Sequence, residues 1–152
     1  MEAKIDQAMM NLVVDKLQNF GPKLVRKSFR KAARAVGSMW IEALKEKVPV
    51  DSGSLRDAIV MSVKTKMRMN KSLDMKTPDV SLEVGPRLDA PRNDDKKSVG
   101  PGIFGMWLEF GLKNKKYPAH PWVRPVYDAT GEKAQQIFAD ELRADLESIA
   151  KE

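Results

Sequence analysis

The chain has 152 residues, of which 42% are hydrophobic and 32% charged, with a formal net charge of +6, no cysteine and one histidine. This length fits one domain over residues 1–152, because a chain of ~150 residues can bury roughly two thirds of its unfolded surface without a disulfide or a metal. The lack of cysteine excludes disulfides, Cys-bearing zinc sites, iron–sulfur clusters and cysteine nucleophiles. One histidine excludes paired-histidine metal sites, and we expect no cofactor.

The charge is uneven along the chain. Residues 60–124 carry 13 Lys/Arg and 7 Asp/Glu, a net +6, whereas residues 125–152 carry 3 and 7, a net −4. Such asymmetry favours self-association or contact with an anionic partner. No apolar run approaches the ~18–20 residues of a membrane span, so we expect no membrane contact. The first residues include acids and no continuous apolar stretch, so we also expect no signal peptide.

Two helices are predicted in the first third of the chain, over 5–20 and 22–47. Apolar residues recur there at steps of three and four, which places them on one face of a helix. Gly21-Pro22 interrupts the first pattern, and Pro22 suits the first turn of a new helix because it lacks an N–H. Pro49 disfavours helical geometry at Val48 and ends the second helix.

The next segment, 59–85, alternates apolar and polar residues and predicts an antiparallel β-hairpin. Its first strand has a basic outer face with Lys64, Lys66 and Arg68. The inner face is expected to hold Ile59, Met61, Val63, Thr65, Met67 and Met69. Residues 86–102, rich in Pro, Gly and charge, predict a long exposed loop, and loops of this length are often functional.

Two further helices are predicted over 103–110 and 125–150. Ile103, Phe104, Trp107 and Leu108 fit helical spacing, although a strand is the competing interpretation of that short segment. The last helix has the apolar stripe Val126, Ala129, Ala134, Ile137, Phe138, Leu142, Leu146 and Ile149. The fold class is therefore α+β, with long N- and C-terminal helices packed on a small antiparallel sheet.

Glu109 lies between Leu108 and Phe110 in the most apolar stretch of the chain. Burial of a carboxylate is costly unless the group is paired. We therefore expect Glu109 either to form an ion pair with Arg56 or Arg124 or to accept a backbone N–H. No second carboxylate, metal cluster or suitably spaced Ser or Asp supports catalysis by Glu109 or His120, so we expect no enzyme.

Three segments in this order resemble a known family. They are Val48-Pro-Val-Asp-Ser-Gly-Ser-Leu-Arg-Asp-Ala-Ile59, Gly105-Met-Trp-Leu-Glu-Phe-Gly111 and Pro118-Ala-His-Pro-Trp-Val-Arg-Pro125. The chain resembles the head–tail joining or tail-completion proteins of long-tailed bacteriophages over roughly residues 22–140. Leu112 departs from the family's usual Thr, and Trp122 from its usual Phe. The matching motif residues are Pro49, Asp51, Gly53, Leu55, Arg56, Glu109, Phe110, Gly111, Pro121, Arg124 and Pro125.

The resemblance implies a structural protein of the virion neck or tail, assembled in the host cytoplasm. Such a protein forms a ring of copies of itself, often six, and contacts other neck and tail proteins. The motif residues would mainly stabilise the fold. The candidate interface residues are Lys64, Lys66, Arg68, Arg92, Lys96, Lys97 and Trp122.

The alternative hypothesis is a basic nucleic-acid-binding module. Lys and Arg on the first strand could contact phosphates, although no aromatic residue interleaves with them for base stacking. A ring around a DNA channel would also be compatible with a weak DNA contact.

Overall fold

The computed structural model describes residues 7–49, 53–89, 99–112, 118–149 and 151. The predicted α+β class is confirmed, because helices at both ends of the chain flank a two-stranded antiparallel sheet in its middle. In chain order the elements are α1 (Gln7–Phe20), α2 (Pro22–Lys47), α3 (Ser54–Asp57), β1 (Ile59–Asn70), β2 (Met75–Pro86), α4 (Pro101–Phe110) and α5 (Val123–Ile149).

The break between α1 and α2 is local in origin. Gly21 has a φ of +79°, a left-handed conformation that glycine adopts without a steric penalty. Pro22 then opens α2, where its missing N–H removes no helical hydrogen bond. At the other end, α2 stops at Lys47, two residues before Pro49, and Val48 donates its N–H to the Leu44 carbonyl at 2.8 Å.

Contacts divide the chain into two compact units. Unit 1 comprises residues Met1–Gly37, Ser62–Glu83 and Gly131–Glu152, and unit 2 comprises Ser38–Met61 and Val84–Thr130. The boundary therefore falls within α2, β1, β2 and α5. The expectation of a single domain over 1–152 stays a prediction.

Unit 1 has its own apolar core, built from α1, the first part of α2 and the last part of α5. The rings of Phe29 and Phe138 pack edge to face there, with centroids 5.9 Å apart. Met67, Met75 and Val80 of the sheet pack against this core. Its buried members are Met9, Val13, Leu17, Val25, Phe29, Ala32, Leu142 and Leu146.

The predicted inner face of β1 needs one correction. Its alternation of half-buried and exposed residues holds as far as Met67, but Met69 is 56% exposed. Met69 lies one residue from the end of β1, where the strand passes into the turn that joins it to β2. A second correction concerns the predicted apolar stripe of the last helix, because its member Ala129 is exposed.

Unit 2 has a second apolar core, formed by Leu44, Val48, Leu55, Ile59, Trp122 and Val126. An aromatic pair joins α2 to α5, because the rings of Trp40 and Tyr127 lie edge to face with centroids 4.7 Å apart. The Trp40 indole N–H donates to Thr130 Oγ1 at 3.0 Å, and the Tyr127 hydroxyl donates to the Val84 carbonyl at 2.6 Å. These contacts hold α2, α5 and the end of β2 together within the unit.

α4 buries small residues and one carboxylate rather than the large apolar residues whose spacing predicted the helix. The buried positions are Pro101, Gly102, Gly105 and Glu109. The exposed positions of the helix are Ile103, Phe104, Met106 and Phe110. α4 also begins at Pro101 rather than at 103, because proline is well suited to a first helical turn. The predicted loop 86–102 therefore ends earlier, and its residues 90–98 lie outside the described residues.

The two glycines of α4 explain this orientation. A Cβ on Gly102 would lie 2.2 Å from the Arg87 carbonyl oxygen and 2.7 Å from Leu88 Cα. A Cβ on Gly105 would lie 2.9 Å from Leu55 Cδ1 and 3.2 Å from Pro86 Cγ. The buried face of α4 thus consists of small residues because backbone and side chains approach it too closely for anything larger.

We expect Gly102→Ala to destabilise the protein by about 1–3 kcal/mol, because the added methyl group collides with backbone atoms that cannot rotate away. The matched control is Gly85→Ala, where the methyl group would meet no atom within 4 Å. Urea unfolding of both variants measures the difference. Equal stability of the two variants would contradict the close packing of α4.

Candidate functional site

The three motif segments meet in unit 2. Gly53, with a φ of +76°, precedes α3, and its carbonyl accepts the Asp57 N–H at 3.0 Å. α3 packs on α4 through Leu55, which is 4% exposed and lies against Gly105. The third segment leads into α5, and the Trp122 indole N–H donates to the Gly105 carbonyl at 3.3 Å. Gly105 is therefore the point where all three segments touch.

Glu109 connects the second segment to the third. Its Oε2 accepts the backbone N–H groups of Trp122 at 2.7 Å and Val123 at 2.8 Å. Its Oε1 accepts the N–H of Arg124 at 3.1 Å. Of the two alternatives drawn from the sequence, the structure has the second, in which the carboxylate caps backbone N–H groups.

These three bonds account for the first turn of α5. A helix begins with N–H groups that have no partner inside the helix, and they require acceptors when they are buried. Trp122, Val123 and Arg124 donate theirs to Glu109, and the next residue, Pro125, has no N–H. One side chain from a different helix therefore accepts every backbone N–H from Trp122 to Pro125.

The charge of Glu109 is also suited to this position. The residue is 8% exposed, and this burial raises the pKa of its carboxyl. The N–H groups of Val123, Trp122 and Arg124 and the positive charge of Arg124 lower the pKa more, so the net shift is downward. The N-terminus of α5 stabilises the ionised form in the same sense, because a helix carries partial positive charge there.

The C-terminal end of α4 is closed by two further backbone bonds. Gly111, with a φ of +71°, donates its N–H to the Trp107 carbonyl at 2.7 Å. His120 donates its N–H to the Leu108 carbonyl at 2.7 Å. The single histidine thus contributes its backbone to the turn before α5, while its side chain is exposed.

The remaining motif residues lie at the surface or outside the description. Phe110 is 67% exposed, and Pro49, Arg56, Pro121, Arg124 and Pro125 are exposed as well. Asp51 and three candidate interface residues, Arg92, Lys96 and Lys97, lie outside the described residues.

Trp122 requires a correction, since it is a candidate interface residue in the sequence analysis. It is 4% exposed and belongs to the core of unit 2. Its indole N–H donates to the Gly105 carbonyl and its backbone N–H donates to the Glu109 carboxylate. Both donors of Trp122 are therefore used within the chain.

The candidate interface residues of β1 belong to unit 1. Lys64, Lys66 and Arg68 are exposed on β1. Lys64 lies 3.5 Å from Glu83, and Arg68 pairs with Asp79, both on β2. Exposed pairs of this kind contribute little to stability, so these side chains are available for other contacts.

A groove of about 370 Å³ runs beside α4, lined mainly by apolar residues that include Pro86, Met106 and Phe110. The residues described contain no group of three or more His, Cys, Asp or Glu side chains placed to hold a metal. Among the helices described, none is long and apolar enough to cross a membrane.

We expect Glu109→Gln to destabilise the protein by about 1–3 kcal/mol, because an amide has one acceptor oxygen for three N–H groups and carries no charge. The control is Glu132→Gln, an exposed residue of α5, which should change stability by less than about 0.5 kcal/mol. Thermal unfolding at pH 7 compares them. Indistinguishable midpoints would argue against the cap.

The same carboxylate predicts a pH dependence. Since the folded pKa of Glu109 lies below the ordinary value, its stabilisation is complete above the ordinary glutamate pKa of about 4.3 and is lost as pH falls through the folded pKa. The stability difference between the natural chain and Glu109→Gln should therefore shrink between pH 6 and pH 3. Urea unfolding at both pH values measures it, and a constant difference would contradict the prediction.

The sequence matches the profile of a known protein family. The family described as "Bacteriophage HK97-gp10, putative tail-component" matches residues 13–111, more than half of the chain. The match includes the first two motif segments, and the third begins at Pro118, beyond its end. Searches of curated proteins and of solved structures find no match. The chain belongs to the HK97-gp10-like family of bacteriophage tail components.

Proposed function

We propose that this protein is a structural part of the phage neck or tail-completion ring and joins head to tail through protein–protein contacts. Membership of the tail-component family supports a structural role in the virion and contact with other phage structural proteins. The neck position, a ring of six copies of the chain and assembly in the host cytoplasm are parts of the proposal. No catalytic step is included.

The outward face of α4 is the observation that carries the proposal. Met106 is 46% and Phe110 67% exposed, and Ile103 and Phe104 are each 36% exposed. Leu88, in the same unit, is 61% exposed. Large apolar side chains gathered on one surface mark contact sites, because exposing them to water has a free-energy cost that a partner removes.

The rigid support of α4 strengthens this argument. Its inner face is held by close contacts at Gly102 and Gly105, and its last turn is tied to α5 through Glu109. The exposed apolar side chains therefore stand on a preorganised helix rather than on a loop. A preorganised surface loses less conformational freedom on binding than a flexible one, which favours a stable assembly.

Removal of the protein from its phage tests the function. We expect heads and tails to accumulate unjoined, and supplying the protein in trans to restore infectious particles with the protein at the junction. Electron microscopy and sedimentation of the lysates measure both. Normal joining without the protein, or only monomeric protein when capsid and tail proteins are both present, would overturn the proposal.

We expect Phe110→Ser to reduce incorporation into particles at least tenfold while leaving thermal stability nearly unchanged, because the side chain is exposed in the free chain. The matched control is Leu24→Ser, also a large exposed apolar residue at 41%, but located in unit 1. Normal incorporation of Phe110→Ser would show that the α4 face makes no essential contact.

A second candidate function is contact with nucleic acid. A groove of about 530 Å³ in unit 1 is lined by four cations of α2, namely Lys27, Arg30, Lys31 and Arg34. Within the described residues, the Arg30 Nε is buried without a hydrogen-bond partner. An anionic oxygen would satisfy such a donor, which supports a phosphate contact.

Titration with duplex and single-stranded DNA at two salt concentrations distinguishes the candidates. A DNA-binding function predicts affinity that falls steeply with salt, because each phosphate contact releases counterions. Absence of binding at low salt would remove this candidate. Weak binding by an assembled ring alone would fit the joining role.

A further inference from the structure

In the described residues the two outer edges of the β-hairpin have no strand beside them, and its two strands differ in charge. Each strand has one neighbour in the two-stranded sheet, so in the described residues the other edge of β1 and of β2 carries no strand. Each strand is 12 residues long, but in β2 Pro78 and Pro86 have no N–H and the Val84 carbonyl accepts the Tyr127 hydroxyl. The stretch of β2 best suited to pairing is therefore 79–83, which holds both acids. A free strand edge presents N–H and C=O groups that can pair with another chain.

The exposed face of the hairpin differs in charge between its strands. β1 contributes Lys64, Lys66 and Arg68 and has no acidic residue. β2 contributes Asp79 and Glu83, which pair with Arg68 and Lys64 across the hairpin. These ion pairs place the acids of β2 on the same face as the cations of β1. That face therefore carries a positive row beside a negative row.

From this pattern we infer that the edges bind a second copy of this chain, with β1 of one copy beside β2 of the next. Pairing of β1 with β1 would align Lys and Arg with Lys and Arg, and pairing of β2 with β2 would align acids with acids. Like charges on directly opposite strand positions are destabilising, whereas opposite charges are favourable. When β1 of one copy lies beside β2 of the next, cations face acids between copies, as they do within each hairpin.

This contact is heterologous, since two different edges of the same molecule meet. Heterologous contacts close into rings when the rotation between copies permits, and closure leaves no strand edge exposed. Rotation about an axis along the strands keeps β1 of every copy in one direction, so β2 and the neighbouring β1 are antiparallel. The inference rests on the self-association in the proposed function and names the surface that performs it.

Single cysteines test the inference in the full chain, which has none of its own. Lys66→Cys and Ser81→Cys place thiols on the exposed face of β1 and β2, and neither residue makes an ion pair in the described part of the chain. Asp79→Cys and Glu83→Cys place the thiol of β2 two residues to either side of Ser81, so that pairing of the copies in a shifted register is also detected. Each variant is oxidised alone and as an equal mixture with the other strand's variant, with the capsid and tail proteins present.

We expect the mixture to give at least tenfold more disulfide-linked dimer than either variant alone, because only β1 and β2 of different copies face each other. Thermal unfolding verifies that each variant folds. A dimer formed by Lys66→Cys alone would indicate pairing of like strands and overturn the inference.

Sedimentation of the same samples separates this inference from the proposed function. If rings or joined particles form but no β1–β2 mixture cross-links, copies associate through another surface, so the inference fails and the proposed function stands. If the natural chain forms no assembly with either virion partner, the proposed function fails. The matched control is Lys23→Cys, exposed at the start of α2, which should cross-link in no combination.

Discussion

The carboxylate of Glu109 is the interaction on which the geometry of the motif site depends. It lies in the last turn of α4, where its charge is unfavourable for its own helix because the C-terminal end carries partial negative charge. Its three bonds to the first N–H groups of α5 offset this cost and the cost of burial. The start of α5 is therefore bound to α4 by a side chain of α4.

That connection also orients α4. With Glu109 turned inward, Gly105, four residues earlier on the same face of the helix, is buried as well, whereas Met106 is 46% exposed. Gly102, one turn further back, lies against the backbone of Arg87 and Leu88. The large apolar side chains consequently face outward, where they form the surface to which we assign the contacts of a virion protein.

Much of the fold follows from local rules in the chain. The ends of α2 reflect Pro22 and Pro49, and the alternation in β1 reflects a strand with one half-buried face. Glu109 could also be recognised as a paired group, since an isolated carboxylate in an apolar segment needs partners. Its partners were harder to find. The segment Pro118–Val123 contains no Ser, Thr, Asp or Asn to cap α5, and that absence was the available signal for a cap from elsewhere.

Sequence by itself determined the α+β class, the sheet with its basic outer row and the three motif segments that point to a phage tail component. These features depend on residue type and spacing along the chain, which propensity and periodicity describe. Only the tertiary structure decided that Trp122 belongs to the core, that α4 buries glycines and a carboxylate, and that Phe110 faces outward. Helical periodicity can define an apolar face. The side of a helix that packs, however, depends on the space that neighbouring elements leave. At Gly102 and Gly105 that space has no room for a side chain.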